Sequence, residues 1–145
     1  MRPSLLLCVA LLPLGLTACD RRDGDLPAPY RTLHAPDAVL TSAEARARGR
    51  RLYQSHCVLC HGVHLDGLGV RRQGFTRPPR DFTDAAWRSS TSPRHVFYAI
   101  REGLHGTAMP AWKGVVNEEE TWDLVAYVLS AGEADAESPP GGRRP

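Results

Sequence analysis

Cys57, Cys60 and His61, within SHCVLCHG at positions 55–62, are the residue types of redox and metal chemistry. Two cysteines with two residues between them fit three chemistries. They can cycle as a dithiol, supply half of a zinc site, or add through their thiols to the two vinyl groups of a porphyrin. The dithiol needs a preceding strand, a βαβ setting and a first cysteine at a helix start. Here no strand is legible and Cys57 stands toward the end of a helical pattern. The zinc site needs four ligands; beyond Cys57 and Cys60 only histidines could complete it, and His61, His64 and His105 are available, at spacings that match no structural zinc pattern. The porphyrin reading uses every position of the motif. On a helical turn residues i, i+3 and i+4 share one side, so both thiols reach one edge of a haem while the imidazole of His61 comes beneath the metal. The sequence therefore favours one covalently attached haem c, with His61 as an axial ligand.

The opposite axial position points to Met109. Apart from the initiator it is the sole methionine of the sequence, and it stands in GTAMPAW at 106–112, between glycine and proline. A lone methionine is ordinarily core filler. Its place in a loop between two helical patterns, beside Pro110, favours the ligand reading. His105 is the competitor and would give a bis-histidine site of lower potential.

Elements must hold these residues in place, and three helices are legible. The first is capped by Ser42 and runs through Cys60, with Gly49, Leu52, Tyr53, His56, Cys57 and Cys60 along one stripe and Glu44 paired with Arg48 on the outer side. Its arginines read as a solvated face. The second starts at Ser92-Pro93 and carries Val96, Phe97, Ile100 and Leu104 as its buried stripe, ending at Gly103 and Gly106. The third opens at Asn117 with Glu118, Glu119 and Glu120 in a capping-box pattern. Its apolar arc, Trp122 to Leu129, is wide enough to meet both a helix and a further apolar body. Residues 62–91 read as a loop, whose length makes sense if it wraps a large flat ligand.

The chain of 145 residues, 42 % hydrophobic and 23 % charged, has room for one small domain with appendages. A formal net charge of +2 offers no electrostatic argument for a nucleic-acid partner. Residues 1–18 read as an export signal: a basic start and an apolar run too short to span a bilayer comfortably. The run ends in LTAC at 16–19, similar to the lipobox of bacterial lipoproteins, which implies acylation of Cys19; a plain signal peptide with an incidental cysteine is the alternative. Asp20 beside it suits retention at the inner membrane, on the periplasmic side. Cys8 leaves with the signal and Cys19 carries lipid, so Cys57 and Cys60 alone belong to the folded domain. Residues 19–40, rich in charge and proline, read as a flexible tether; 41–132 as the domain; 133–145 as a disordered tail. A domain of this size has a small core, which a buried cofactor would help to fill.

Over about residues 42–131 the chain resembles the class I monohaem c-type cytochromes, on Cys57, Cys60 and His61, Met109-Pro110, Gly49 and Tyr53, and WDLVAYVL at 122–129. The resemblance implies an all-α cytochrome c fold, three main helices wrapped around one haem, with the first and last helices crossing at Gly49 and packing Tyr53 and Tyr127. It also implies a proline whose carbonyl accepts the Nδ1 proton of the ligating histidine; Pro78 and Pro79 are the candidates. Arg80 is the best candidate among Arg71, Arg72, Arg77 and Arg80 for pairing with a propionate. With both axial positions filled, the expected function is one-electron transfer by a lipid-tethered carrier, not enzymatic turnover, serving redox partners in the periplasm or inner membrane. The alternatives are a haem subunit dedicated to one periplasmic oxidoreductase complex and a haem ligand-binding sensor.

Overall fold

The computed structural model describes residues 23–132. The expected signal peptide, Cys19 and the tail at 133–145 lie outside them. Seven helical segments follow one another: α1 (Ala28–Arg31), α2 (Asp37–Leu40), α3 (Ala43–His56), α4 (Val58–His61), α5 (Ala85–Ser90), α6 (Pro93–Glu102) and α7 (Glu118–Leu129). No strand occurs among the described residues.

The three expected helices are α3, α6 and α7, and their caps are those the sequence predicts. Ser42 Oγ accepts the N–H of Ala45, and Ser92 Oγ that of His95, each at 3.2 Å. At α7 the box closes both ways: Asn117 Oδ1 accepts from Glu120 N at 2.9 Å, while Glu120 Oε2 accepts from Asn117 N at 2.8 Å. The first helix does not run unbroken to Cys60. Cys57, at φ −113° and ψ −29°, separates α3 from α4, although Cys57 O still accepts from His61 N at 2.9 Å. One helical turn thus still carries all three motif residues.

α3 and α7 cross in backbone contact. A Cβ on Gly49 would lie 2.0 Å from the carbonyl oxygen of Asp123, so only glycine lets the helices meet this closely. Beside the crossing, the rings of Tyr53 and Tyr127 meet edge to face at 5.3 Å, and Tyr53 Oη donates to Gly62 O at 2.7 Å. Arg48 is exposed and interacts electrostatically with Glu44, as expected, but it also has a second partner. It forks onto the buried Asp123, Nε to Oδ2 at 2.7 Å and Nη2 to Oδ1 at 2.8 Å, tying the two helices where Gly49 brings them together. On the other side of α7, Phe97 packs on Trp122 with ring centroids 4.3 Å apart. The wide apolar arc of α7 meets α3 and α6, while Leu124 and Val128 turn to a cavity. Leu104, expected in the stripe of α6, lies beyond the helix end at Glu102, where Gly103 turns the chain, and lines the cavity described below.

The flexible tether expected over 19–40 is not what its described part forms. From Asp23 onward the segment is a strap packed along α6 and α7. Leu26 is buried, and Tyr30 Oη donates to Glu102 while its ring meets Tyr98 edge-on at 4.9 Å. Arg94 Nε donates to Leu33 O at 2.6 Å, and Asp23, only 4 % exposed, accepts from Ser92 Oγ and from Arg94 Nη1. These partners lie about seventy residues away, so no local periodicity announces them.

Burial pushes the Asp23 carboxyl upward, but the hydrogen bonds from Ser92 and Arg94 and the charge of Arg94 outweigh it and hold it below its ordinary 3.8. A carboxyl depressed on folding contributes stability that is fully present above 3.8 and is lost as pH falls through the folded value. Urea unfolding followed from pH 6 to pH 2.5 is therefore expected to show an acid limb that is shallower in Asp23→Asn. Parallel limbs would show that Asp23 does not hold the strap.

Candidate functional site

A cavity of about 720 Å³ opens between α3–α4, α6, α7 and the loops on either side of α6, within the roughly 300–1,000 Å³ common for cofactor sites. Cys57, Cys60, His61 and Met109 all line it. The remaining wall is mostly apolar, with Val96, Ala99 and Ile100 from α6, Leu124 and Val128 from α7, and Phe82 and Trp87 from the long loop. Arg77 and Arg80 also reach it, whereas Arg71 and Arg72 do not.

His61 is oriented from two sides. Its Nδ1 lies 3.2 Å from the carbonyl oxygen of Arg80, which can only accept, so this nitrogen carries the proton and Nε2 keeps its lone pair. Burial lowers the pKa of the ring, with the hydrogen bond to Arg80 opposing it, and the imidazole stays neutral, the form that binds a metal. The partner is the carbonyl of Arg80, not that of Pro78 or Pro79. Two consecutive prolines have no N–H and hold the chain extended, and the next carbonyl is the one delivered to the histidine. The ring of Phe82 stacks on that of His61, centroids 4.7 Å apart and planes 20° from parallel, and Trp87 packs on Phe82 at 5.3 Å. Trp87 thereby gains a place that the sequence did not supply. Within the expected loop, α5 escaped notice because six residues bearing one large apolar side chain show no stripe; Asp84 Oδ1 caps it by accepting from Ala86 N at 2.9 Å.

The Cys57 thiol is pushed up to about 12 by burial and by the neighbouring Cys60. A dithiol that exchanges disulfides needs a depressed value, so this environment argues against the redox-dithiol reading. Nor do three or more His, Cys, Asp or Glu side chains converge among the described residues, as a zinc site would require.

Met109 is half-buried, and its loop is pinned to the end of α6. Leu104 N donates to Met109 O at 3.1 Å, Met109 N to Thr107 Oγ1 at 3.1 Å, and Trp112 N to Ile100 O at 3.0 Å. His105 is exposed and does not line the cavity. His56 and His95 do line it, which the sequence did not foretell for His95. The ring of His56 packs on Trp112 at 5.3 Å, and His95 sits between Asp23 and Asp25. Gly103 makes the turn into this loop at φ +72°, and a Cβ there would lie 2.7 Å from Met109 O. Gly103→Ala is expected to cost roughly 2 kcal/mol in denaturant unfolding and to shift the methionine. A loss below about 0.5 kcal/mol would show that the turn is not constrained.

Soft sulfur donors, a neutral imidazole and two arginines around an apolar cavity suit a haem with charged propionates. An all-helical domain built around such a cavity is a c-type cytochrome. Residues 44–128 match the family described as cytochrome c oxidase, cbb3-type, subunit III, and the chain belongs to that family. It is similar to "Cytochrome c" of Theileria annulata, 28 % identical over 109 residues, covering 66 % of this chain and 93 % of the relative. It is also similar to "Cytochrome c55X" of Stutzerimonas stutzeri, 30 % identical over 95 residues, covering 63 % of this chain and 73 % of the relative. Among solved structures it is similar to a chain of the Kuenenia stuttgartiensis reducing HAO-like protein complex, with a TM-score of 0.55 and 27 % identity. That match covers 62 % of this chain and 44 % of the other, so the present chain spans less than half of that one. The protein is a monohaem c-type cytochrome with covalently bound haem c, and its function is electron transfer.

Proposed function

We propose that the protein is a membrane-tethered periplasmic electron carrier in which Cys57 and Cys60 hold the haem by thioether bonds and His61 and Met109 are its axial ligands. The observation that carries this reading is that these four residues, drawn from two separate stretches of chain, line one apolar cavity. When bound, haem supplies one-electron exchange between its ferric and ferrous states. The chain's own residues set the conditions for that exchange. Arg80 O and the Phe82 ring fix the plane of His61 and leave Nε2 to donate. The thioether of Met109 favours the ferrous state, and the apolar wall of Val96, Ile100, Leu124 and Val128 disfavours the additional charge of the ferric one. Arg77 and Arg80, which line the cavity, would pair with propionates. Acylation at Cys19, after removal of residues 1–18, would supply the tether. No helix among the described residues is long and apolar enough to cross a membrane.

Acidified acetone separates a haem held by ligation alone from one held by thioethers. The haem is expected to stay with the wild-type chain and to be extracted from the Cys57→Ser/Cys60→Ser double variant. Extraction from both would sink the attachment assignment.

A haem subunit dedicated to one oxidoreductase complex is the second reading, favoured by likeness to a chain of a reducing HAO-like complex. Copurification of a stoichiometric partner from native membranes would establish it over a mobile carrier.

A further inference from the structure

The strap changes how far the domain can stand from a membrane. Asp23 is buried against the N-terminal end of α6, held by Ser92 and by Arg94 at 2.5 Å. Tyr30 is fastened to Glu102 at the other end of the same helix. Whatever precedes the strap is thus attached to a fixed point on the domain. Between Cys19 and Asp23 stand only Asp20, Arg21 and Arg22. The four Cα-to-Cα steps from Cys19 to Asp23, fully extended, cover about 14 Å. A free chain over 19–40 would average about 26 Å end to end and could stretch to about 75 Å.

The fixed point also lies beside the haem cavity. His95 lines the cavity, and its Nδ1 is 3.2 Å from Asp23 Oδ1 while its Nε2 is 2.8 Å from Asp25 Oδ1. Thr91, which precedes the Asp23 partner Ser92, lines it as well. We infer that the strap holds the cavity wall formed by Thr91 and His95 close to the lipid surface, so that the fitting partner is a redox protein whose electron-exchange site lies at the bilayer. The inference rests on the acylation of Cys19 proposed above. A long tether would let the domain meet soluble and membrane partners alike; a leash of three residues confines it to the surface.

The test uses the acylated holoprotein on phosphatidylcholine/phosphatidylglycerol vesicles carrying a headgroup fluorophore whose emission overlaps haem absorption. Quenching by the haem falls steeply with its distance from the headgroups. Inserting twenty Gly/Ser residues between Arg22 and Asp23 leaves the strap intact and adds about 25 Å of average reach. Quenching per bound protein is expected to be at least threefold weaker in the insertion variant than in wild type, and weaker also in Asp23→Ala/Tyr30→Phe, where two of the strap's fastenings are removed. Equal quenching by wild type and the insertion variant, with binding lost in Cys19→Ser, overturns the strap's role and leaves the anchor standing. Undiminished vesicle binding by Cys19→Ser removes the anchor reading, and the inference with it.

Discussion

Met109→Ala is expected to abolish the weak near-red absorption band of the ferric protein and to lower its midpoint potential by roughly 0.1 V or more. Every competing ligand is absent from the cavity or engaged elsewhere. His105 is exposed and outside it, His56 packs on Trp112, and His95 is held between two aspartates. The loop that carries Met109 is also fastened by backbone hydrogen bonds to Leu104 and to Ile100 through Trp112, so its position does not depend on the thioether itself. The variant should therefore fold and leave one axial position open to a small ligand. Carbon monoxide is expected to bind the reduced variant readily and the reduced wild type poorly. If the near-red band and the potential are unchanged, Met109 is not the ligand; if wild type binds carbon monoxide as readily, a ligand-binding sensor becomes the better reading.

The largest stability effect is expected at Gly49→Ala. The added methyl group would lie 2.0 Å from the Asp123 carbonyl oxygen, 2.6 Å from its carbon and 2.9 Å from Tyr127 Cβ. Two of these neighbours are backbone atoms of a buried helix and cannot rotate away. The helices must move apart, which strains the Arg48–Asp123 fork and the Tyr53–Tyr127 contact together. A cost of about 3 kcal/mol or more in chemical denaturation follows. The same substitution at Gly114, where a Cβ meets nothing within 4 Å and the backbone is not left-handed, controls for the general effect of replacing glycine. A loss at Gly49 no larger than at Gly114 would refute the close approach.

Much of this architecture is written in short stretches of sequence. The caps at Ser42, Ser92 and Asn117 act within three residues of themselves, and the Cys57–Cys60–His61 grouping depends only on the geometry of one helical turn. Gly49 and the two tyrosines could be assigned because the family resemblance supplied the crossing they serve.

What only the tertiary structure decided involves partners far apart in the chain, joined by polar atoms or by backbone carbonyls that carry no residue-type signature. The acceptor for His61 is Arg80 O, nineteen residues away, and a carbonyl looks the same in every residue. The Arg48–Asp123 fork and the Asp23–Arg94 pair join sites more than seventy residues apart, and in each case the sequence showed only a charge on what passed for a solvated face or a tether. Residues 23–40 show no apolar period because single contacts, not a continuous face, hold them. Local geometry determined where the reactive residues stand along the chain; long-range packing determined which groups orient them and how residues 23–40 are held against α6 and α7.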